Sequence, residues 1–354
     1  MAAEETLPDV IVERTGSLGR IRLNRPKAMN SLTRDMVHRI APALDAFEKD
    51  AAIAAILLTG EGERGLCAGG DIRALYEGER TPDGTGAKFW RDEYRVNARI
   101  ARFPKPYLAV MDGITMGGGI GLSAHGAHRI VTERSRIAMP EVGIGFVPDV
   151  GGTWLLAHAP GEIGTYLALT GETIGPADAV YAGLADLQIP QGSIPALIDE
   201  LAQLMPGTDN EAIRAVLAKH AVQPELARLS EHRTLIDRCF AGSSVEAILQ
   251  ALEADNTPFS LKTRDLIASK SPTSLKLTFC LIRLAREADG LEEALEREFA
   301  AAVAVAQGHD FYEGVRAAII DKDRNPRWSP ASLAEVDDRD IEACIQPVAD
   351  RVFP

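Results

Sequence analysis

Two acids and a run of glycines mark the part of this 354-residue chain where chemistry is concentrated. Glu141 follows Pro140, and Asp149 stands eight residues later in Pro148-Asp149-Val150-Gly151-Gly152. Upstream, Gly117-Gly118-Gly119 leads into a helix-compatible segment, Ile120–Ala127. Glycine leaves its backbone N–H open to a ligand, and N–H groups at a helix start have no intrahelical partner. Such amides suit a developing negative charge. Two carboxyl groups brought together by a turn repel each other, and partial burial then raises at least one pKa toward neutrality. One can act as base or nucleophile while the other carries a proton. An oxyanion site beside such a pair outlines acyl-transfer or enolate chemistry. The plain alternative for each acid is a capping role on a loop.

Other candidate motifs carry less. Gly60-Glu61-Gly62-Glu63-Arg64-Gly65 matches the dinucleotide pattern GxGxxG after a strand. No helix opens on it, and its two glutamates would repel a pyrophosphate, so a charged surface turn is the better reading. Ala68-Gly69-Gly70-Asp71 permits close backbone approach and places Asp71 at the start of a short helix. Gly121-Leu122-Ser123-Ala124-His125 misses the nucleophile-elbow pattern by one residue, which leaves Ser123 as a small packing residue. His125 and His128 lack a metal-binding spacing, so no metal is expected. Cys67 reads as a small buried residue.

The elements that must position these groups alternate strand and helix over the first half. Val10–Arg14 and Gly19–Leu23 read as strands, followed by an amphipathic helix to about Lys49 whose N-cap is offered by Ser31-Leu32-Thr33. Ala54–Thr59 and Tyr107–Met111 read as buried strands, with a helix over Lys88–Arg102 between them that carries Glu93. Arg80–Gly86 is a Pro/Gly-rich loop. Gly152–Ala157, Gly164–Leu169 and Pro176–Ala182 read as helices, Gly183–Leu187 as a short strand, and Gln188–Pro195 as a linker. Beyond it the pattern is almost wholly helical: 196–204, 211–219, 224–240, 245–252, 273–288, 291–307 and 311–320. An α/β fold in two units is expected, with residues 1–190 as the core and 191–354 as a helical region.

Composition excludes several classes. A net charge of -13 argues against a nucleic-acid binder, which would present a basic face. Charged residues at 25% and hydrophobic ones at 46% are ordinary for a globular protein. The four cysteines are widely separated and form no CxxC pair, which fits reduced thiols rather than a disulfide framework. The first residues, MAAEETLPDVIVE, show neither an apolar signal core nor an Arg-rich transit character, and a cytoplasmic location is expected. No apolar run approaches a membrane span.

Taken together, Leu23–Leu32 (LNRPKAMNSL), Leu66–Ile72 (LCAGGDI), Lys105–Ser123 and Met139–Leu156 (MPEVGIGFVPDVGGTWLL) resemble the crotonase, or enoyl-CoA hydratase/isomerase, superfamily. Within it the chain most closely resembles the 3-hydroxyisobutyryl-CoA hydrolase branch. That match rests on Arg91–Tyr94 (RDEY), His125–Glu133 (HGAHRIVTE), the PDVGG segment and Gly308–Trp328 (GHDFYEGVRAAIIDKDRNPRW).

The resemblance implies a superhelix of repeated ββα turns followed by helices that help close an acyl pocket. It implies that the amides of Gly70 and Gly118 hold a thioester oxygen. Coenzyme A would lie along Leu66–Ile72 with its adenine near Ala68 and Ile72, and Lys27 is a further candidate for a phosphate contact. Glu141 would attack the carbonyl or activate water, Asp149 would assist proton transfer, and Glu93 would receive a 3-hydroxyl. No separate cofactor is implied, since coenzyme A is part of the substrate. Typical hydratases carry a second glutamate three residues after the oxyanion glycine, where this chain has Gly121. Hydrolysis of a short 3-hydroxyacyl-CoA is therefore the expected activity. Enoyl-CoA hydration or isomerisation and non-catalytic acyl-CoA binding are the alternatives. A homo-oligomer is possible on the family's habit, and neither a nucleic-acid nor a membrane partner is expected.

Overall fold

Val10–Thr15 (β1) alternates inward and outward side chains and pairs antiparallel with Leu18–Leu23 (β2), as a half-buried edge strand should. The computed structural model describes residues 7–78, 80–81 and 83–353. The start of the acidic N-terminal segment, and Pro82 of the expected 80–86 loop, lie outside the described residues.

After β2, Arg34–Lys49 (α1) is capped by the Thr33 side chain and turns Met36, Val37, Ile40, Leu44 and Phe47 inward. Ala55–Gly60 (β3) follows, then the short Ile72–Glu77 (α2) and the long Thr85–Ala101 (α3). Tyr107–Met111 (β4) and Ile114–Met116 (β5) bracket the Asp112-Gly113 turn and lead into Gly118–Ser123 (α4). His128–Val131 (β6) and Arg136–Ala138 (β7) follow in sequence. Gly152–Ala157 (α5), Ile163–Thr170 (α6), Pro176–Tyr181 (α7) and Leu187–Gln188 (β8) complete this part.

The main sheet has the order β1-β2-β3-β4-β6-β8, parallel from β2 onward, while β5 and β7 pair in a second, parallel sheet. Isolated bridges extend that second stack, joining Cys67 to Thr115 and Leu32 to Gly70. Each turn of the chain thus lays a segment on both stacks before a helix returns it, which is the superhelix of ββα turns.

Parallel strands covered on both faces read as continuous apolar runs, and β3 and β4 do so for that reason. Ile56 and Leu58 face the core shared with α1 and α3. Their neighbours Ala55 and Leu57 point the other way, with Leu108, Val110 and Ile130. That second face is covered by Ile194–Leu201 (α8) and Asn210–His220 (α9) through Leu197, Leu201, Ile213 and Leu217. The remaining helices are Arg228–Phe240 (α10), Val245–Asp255 (α11), Pro258–Ala268 (α12), Pro272–Arg286 (α13), Leu291–Val305 (α14), His309–Val315 (α15) and Asp338–Cys344 (α16). A π-helical turn, Arg316–Ile320, continues α15.

Several boundaries differ from the sequence expectation. Helix α4 starts at Gly118 and stops at Ser123, because a Ser123–Gly126 turn packs Gly126 onto Tyr107 and frees the chain for β6. The strand expected over 183–187 is confined to Leu187–Gln188, since Gly183 ends α7 in a left-handed turn and Asp186 is tied to Arg129. The expected linker holds buried Ile189 and the start of α8. Helix α12 has no counterpart in the sequence reading: its Thr257 cap and Pro258 resemble a turn, and its polar residues blur the helical stripe.

Candidate active site

The loop after β3 is fixed from the N-terminal side. Leu32 donates to Gly69 and accepts from Asp71, while Ala68 donates to Met29. Arg25 bonds the Asp71 carboxylate at 3.0 Å and the Ser31 carbonyl. This explains the LNRPKAMNSL segment: Met29 and Asn30 both adopt left-handed backbone angles, and buried Asn30 donates to the carbonyls of Glu61 and Gly65. Asp71 caps α2. With Leu32, Asp71 and Ala68 occupied in this way, the Gly70 amide is left without a partner among the described residues.

Gly117 enters α4 with φ 46, a conformation that favours glycine, and puts Gly118 at the first helical position. The Gly118 amide also lacks a partner among the described residues. A methyl group built on Gly118 would sit 3.5 Å from the Gly70 nitrogen and only 2.5 Å from Glu93 Oε1. One built on Gly117 would sit 3.0 Å from Glu141 Oε1. The two amides and two of the acids therefore border one space, which any side chain at Gly117 or Gly118 would invade.

That space is a cavity of about 180 Å³ lined by Ala68, Gly70, Ile72, Phe89, Trp90, Glu93, Gly117, Gly118, Glu141, Ile144, Phe146, Asp149 and Ile319. Seven of the eight expected site residues meet here. The exception is Lys27, which lies exposed on the 3-10 turn Pro26–Ala28 and does not line the cavity.

Electrostatics set this cavity apart. Glu93, Glu141 and Asp149 are all buried. Burial, and then the Asp149 charge, push both glutamates well above the usual carboxylate range. Burial also raises Asp149 to about 7, against the pull of a 2.8 Å hydrogen bond donated by Tyr94. Glu93 Oε1 and Glu141 Oε2 are buried with no hydrogen-bond partner, a costly state in a folded protein. A roomier cleft of about 370 Å³ lies between α6, α7, α10 and α12. Its inner acids are already satisfied: Glu172 accepts from Tyr166, and Asp178 accepts from the Leu229 amide. Unsatisfied carboxyl oxygens, not volume, single out the candidate site.

The side chains dismissed as nucleophiles or ligands have structural work. Ser123 is buried and donates to the Gly119 carbonyl. Cys67 is fully buried against Gly119, and burial pushes its thiol up to about 12, so it is no nucleophile at neutral pH. His125 is pushed down to about 4 by burial and is thus neutral, with Nε2 2.7 Å from the Val150 carbonyl.

Sequence reasoning missed three contributions. Tyr94, the last residue of RDEY, holds Asp149. Ile319 reaches the cavity from the π turn of the tail. Glu298, buried on α14, grips the chain just after Asp149. A signal for Glu298 exists: Leu291, Leu295, Glu298, Ala302 and Val305 follow a helical stripe, and one of the five is an acid.

One further feature concerns reaction type. A side chain at Gly121 would meet Val150 Cβ at 2.6 Å and the Asn97 amide nitrogen at 2.8 Å. The place where hydratases carry their second glutamate is therefore filled by neighbours on α3 and on the Asp149 loop.

Comparison with known proteins agrees with the fold. A family model described as enoyl-CoA hydratase/isomerase matches residues 18–345. The mitochondrial 3-hydroxyisobutyryl-CoA hydrolase of Gallus gallus is 40% identical over 97% of this chain and 90% of its own length. The Homo sapiens protein of the same name is 40% identical over 96% and 88%. Among solved structures, a carnitinyl-CoA dehydratase from Mycobacterium thermoresistibile superimposes with a TM-score of 0.91 at 45% identity, covering 98% of both chains. An enoyl-CoA hydratase from Rhodobacter sphaeroides 2.4.1 gives 0.86 at 41% identity, covering 96% of this chain and 98% of its own. The names divide between hydrolase and hydratase or dehydratase, but every match spans nearly the whole chain: this chain belongs to the enoyl-CoA hydratase/isomerase family, the crotonase superfamily.

Proposed function

We propose that this protein hydrolyses 3-hydroxyisobutyryl-CoA to 3-hydroxyisobutyrate and free coenzyme A, a step of valine breakdown. The observation that carries this reading is that the place at Gly121 is closed while Glu141 and Asp149 both line the cavity. Addition of water across a double bond by the hydratase route uses two glutamates, and here the second has neither a side chain nor room for one. Cleavage of a thioester needs one ionised carboxylate, one proton donor and an oxyanion site.

In this reading the thioester oxygen accepts hydrogen bonds from the Gly70 and Gly118 amides. Glu141 supplies the electron pair, either directly to the carbonyl carbon or through a water that it deprotonates. As the tetrahedral intermediate collapses, the C–S bond breaks and the thiolate takes a proton from Asp149. In the direct route a water then adds to the resulting Glu141 anhydride, giving its proton to Asp149 and releasing the acid and the Glu141 carboxylate. Burial, and then the Asp149 charge, raise Glu141 well above the carboxylate range, while burial raises Asp149 to about 7, so a proton resting on Glu141 passes to Asp149 before Glu141 acts. Glu93 accepts the 3-hydroxyl, and its unpartnered Oε1 beside Gly118 is the acceptor in question. Coenzyme A extends past Ala68 and Ile72, with Lys27 at most a peripheral phosphate contact. No metal or redox cofactor enters any step.

Residues 1–190 would form the reacting unit and 191–354 the closing one, in a cytoplasmic enzyme. Among the described residues no helix is long and apolar enough to cross a membrane, and the named relatives are mitochondrial. Cell fractionation decides the compartment, and light scattering decides whether copies associate.

The test is thiol release from 3-hydroxyisobutyryl-CoA and from isobutyryl-CoA, which lacks the hydroxyl. Fast release from the first, at least about tenfold slower release from the second, and loss of both in Glu141→Gln are expected. Release no faster than in Glu141→Gln would reject the reading.

A further inference from the structure

Glu298 is fully buried in the middle of α14 and takes a place in that helix's apolar stripe. An acid there is retained only if its oxygens are satisfied. They are, and all by one short segment: Oε2 accepts from the Gly151 amide at 2.7 Å, and Oε1 from the Thr153 amide at 2.9 Å and from the Thr153 hydroxyl. Gly151 is the N-cap of α5 and has no side chain to cap with. Glu298 supplies the missing acceptor from a helix distant in sequence.

The segment it grips needs holding. Val150 and Gly151 adopt φ 56 and φ 78 in succession, and a left-handed angle is disfavoured for β-branched valine. His125 holds the same turn from the other side through the Val150 carbonyl. Asp149 immediately precedes this turn, and its carboxylate accepts from Tyr94 at 2.8 Å.

We propose that Glu298 is a positioning residue for the reaction, clamping the Val150-Gly151 turn so that Asp149 is aimed into the cavity. This rests on the hydrolase reading for its rate consequences. The Leu66–Ile72 loop, which would carry coenzyme A, belongs to another part of the chain and makes no hydrogen bond to Glu298 among the described residues. Loss of the clamp should therefore lower kcat and leave KM nearly alone.

The experiment compares wild type, Glu298→Gln and Thr153→Val for thiol release and for amide hydrogen exchange. Glu298→Gln puts an NH2 against one backbone donor, and kcat should fall about 10²-fold, the scale of a misplaced catalytic group, with KM within about threefold. Thr153→Val removes one donor without opening a cavity, and should lower kcat about 5–10-fold. Exchange at 149–153 should quicken in both variants while that of 66–72 stays unchanged. Unaltered kcat in both variants, or kcat and KM worsening together, would overturn the clamp. Wild-type inactivity would reject the hydrolase reading, and the exchange arm would still decide the clamp: protection of 149–153 that survives Glu298→Gln rejects it.

Discussion

The superhelix up to β8 and the helical tail after it contribute to one cavity in different ways. The superhelix provides every group that would touch the reacting thioester: two amides and three acids. The tail provides one lining side chain, Ile319, and otherwise acts on the turns that carry those acids. Gly314 of α15 packs so closely that a methyl group on it would lie 2.3 Å from the Ile144 backbone, one turn from Glu141. At Gly145 a methyl group would lie 2.1 Å from the Asp310 carbonyl. Buried acids with unpartnered oxygens thus stand in one region, and close contacts on the turns that carry them come from the other. Such a division is expected where buried like charges oppose folding and packing elsewhere must offset them.

The contrast breaks most visibly at Glu141. Glu141→Gln should lower thiol release by about 10²–10⁴-fold, the range for a lost acid-base group, with no loss of folded protein. Its stability should rise, and the sign follows from linkage. Glu141 binds its proton more tightly when folded, so the folded state carries more protons than the unfolded one above the ordinary carboxylate range. Stability is then lost as pH increases through that window toward the raised value. Melting curves at pH 5 and pH 8 should show the variant gaining more at pH 8. A gain confined to pH 5 would contradict the assigned direction.

A tail substitution should behave in the opposite way. Gly314→Ala forces the Glu141 turn and α15 apart, with an overpacking cost of about 1–3 kcal/mol. Calorimetry should show Tm lower by several degrees, and the rate should fall about tenfold as Glu141 shifts. Stability and rate falling together would mark the supporting region, whereas Glu141→Gln separates them.

Tyr94→Phe sharpens the comparison from inside the core. It removes one hydrogen bond to Asp149, worth about 1 kcal/mol, and kcat should fall roughly fivefold. The Tyr94 bond also lowers the Asp149 pKa, so the pH dependence assigned to Asp149 should move to higher pH in this variant. The smallest effect belongs to Cys67→Ala. Its thiol is buried and protonated, so the rate should stay within about twofold, and alkylating reagents should leave the wild type active.

Much of the core was legible because its signals are local. The apolar runs of β3 and β4, the capping stretch Ser31–Thr33 and the glycines at 69–70 and 117–119 each announce their own geometry. Glu141 and Asp149 could be named from spacing, but not their convergence with Glu93, which sits on α3 and depends on how that helix packs. Lys27 resisted because an exposed lysine carries no mark of what it faces. Glu298 resisted for a related reason: two of its three donors are backbone amides about 145 residues away, and backbone groups leave no trace in a sequence. Helix α12 escaped because its cap looks like a turn and its apolar stripe is weak.

The central claim is that this cavity breaks a C–S bond and does not exchange water with a double bond. Both events can be followed in one cuvette with 3-hydroxyisobutyryl-CoA as substrate, free thiol by a thiol reagent and dehydration by enoyl-thioester absorbance. The account predicts thiol rising to the full substrate concentration, no enoyl absorbance, and neither signal in Glu141→Gln. Growth of enoyl absorbance without thiol would contradict it.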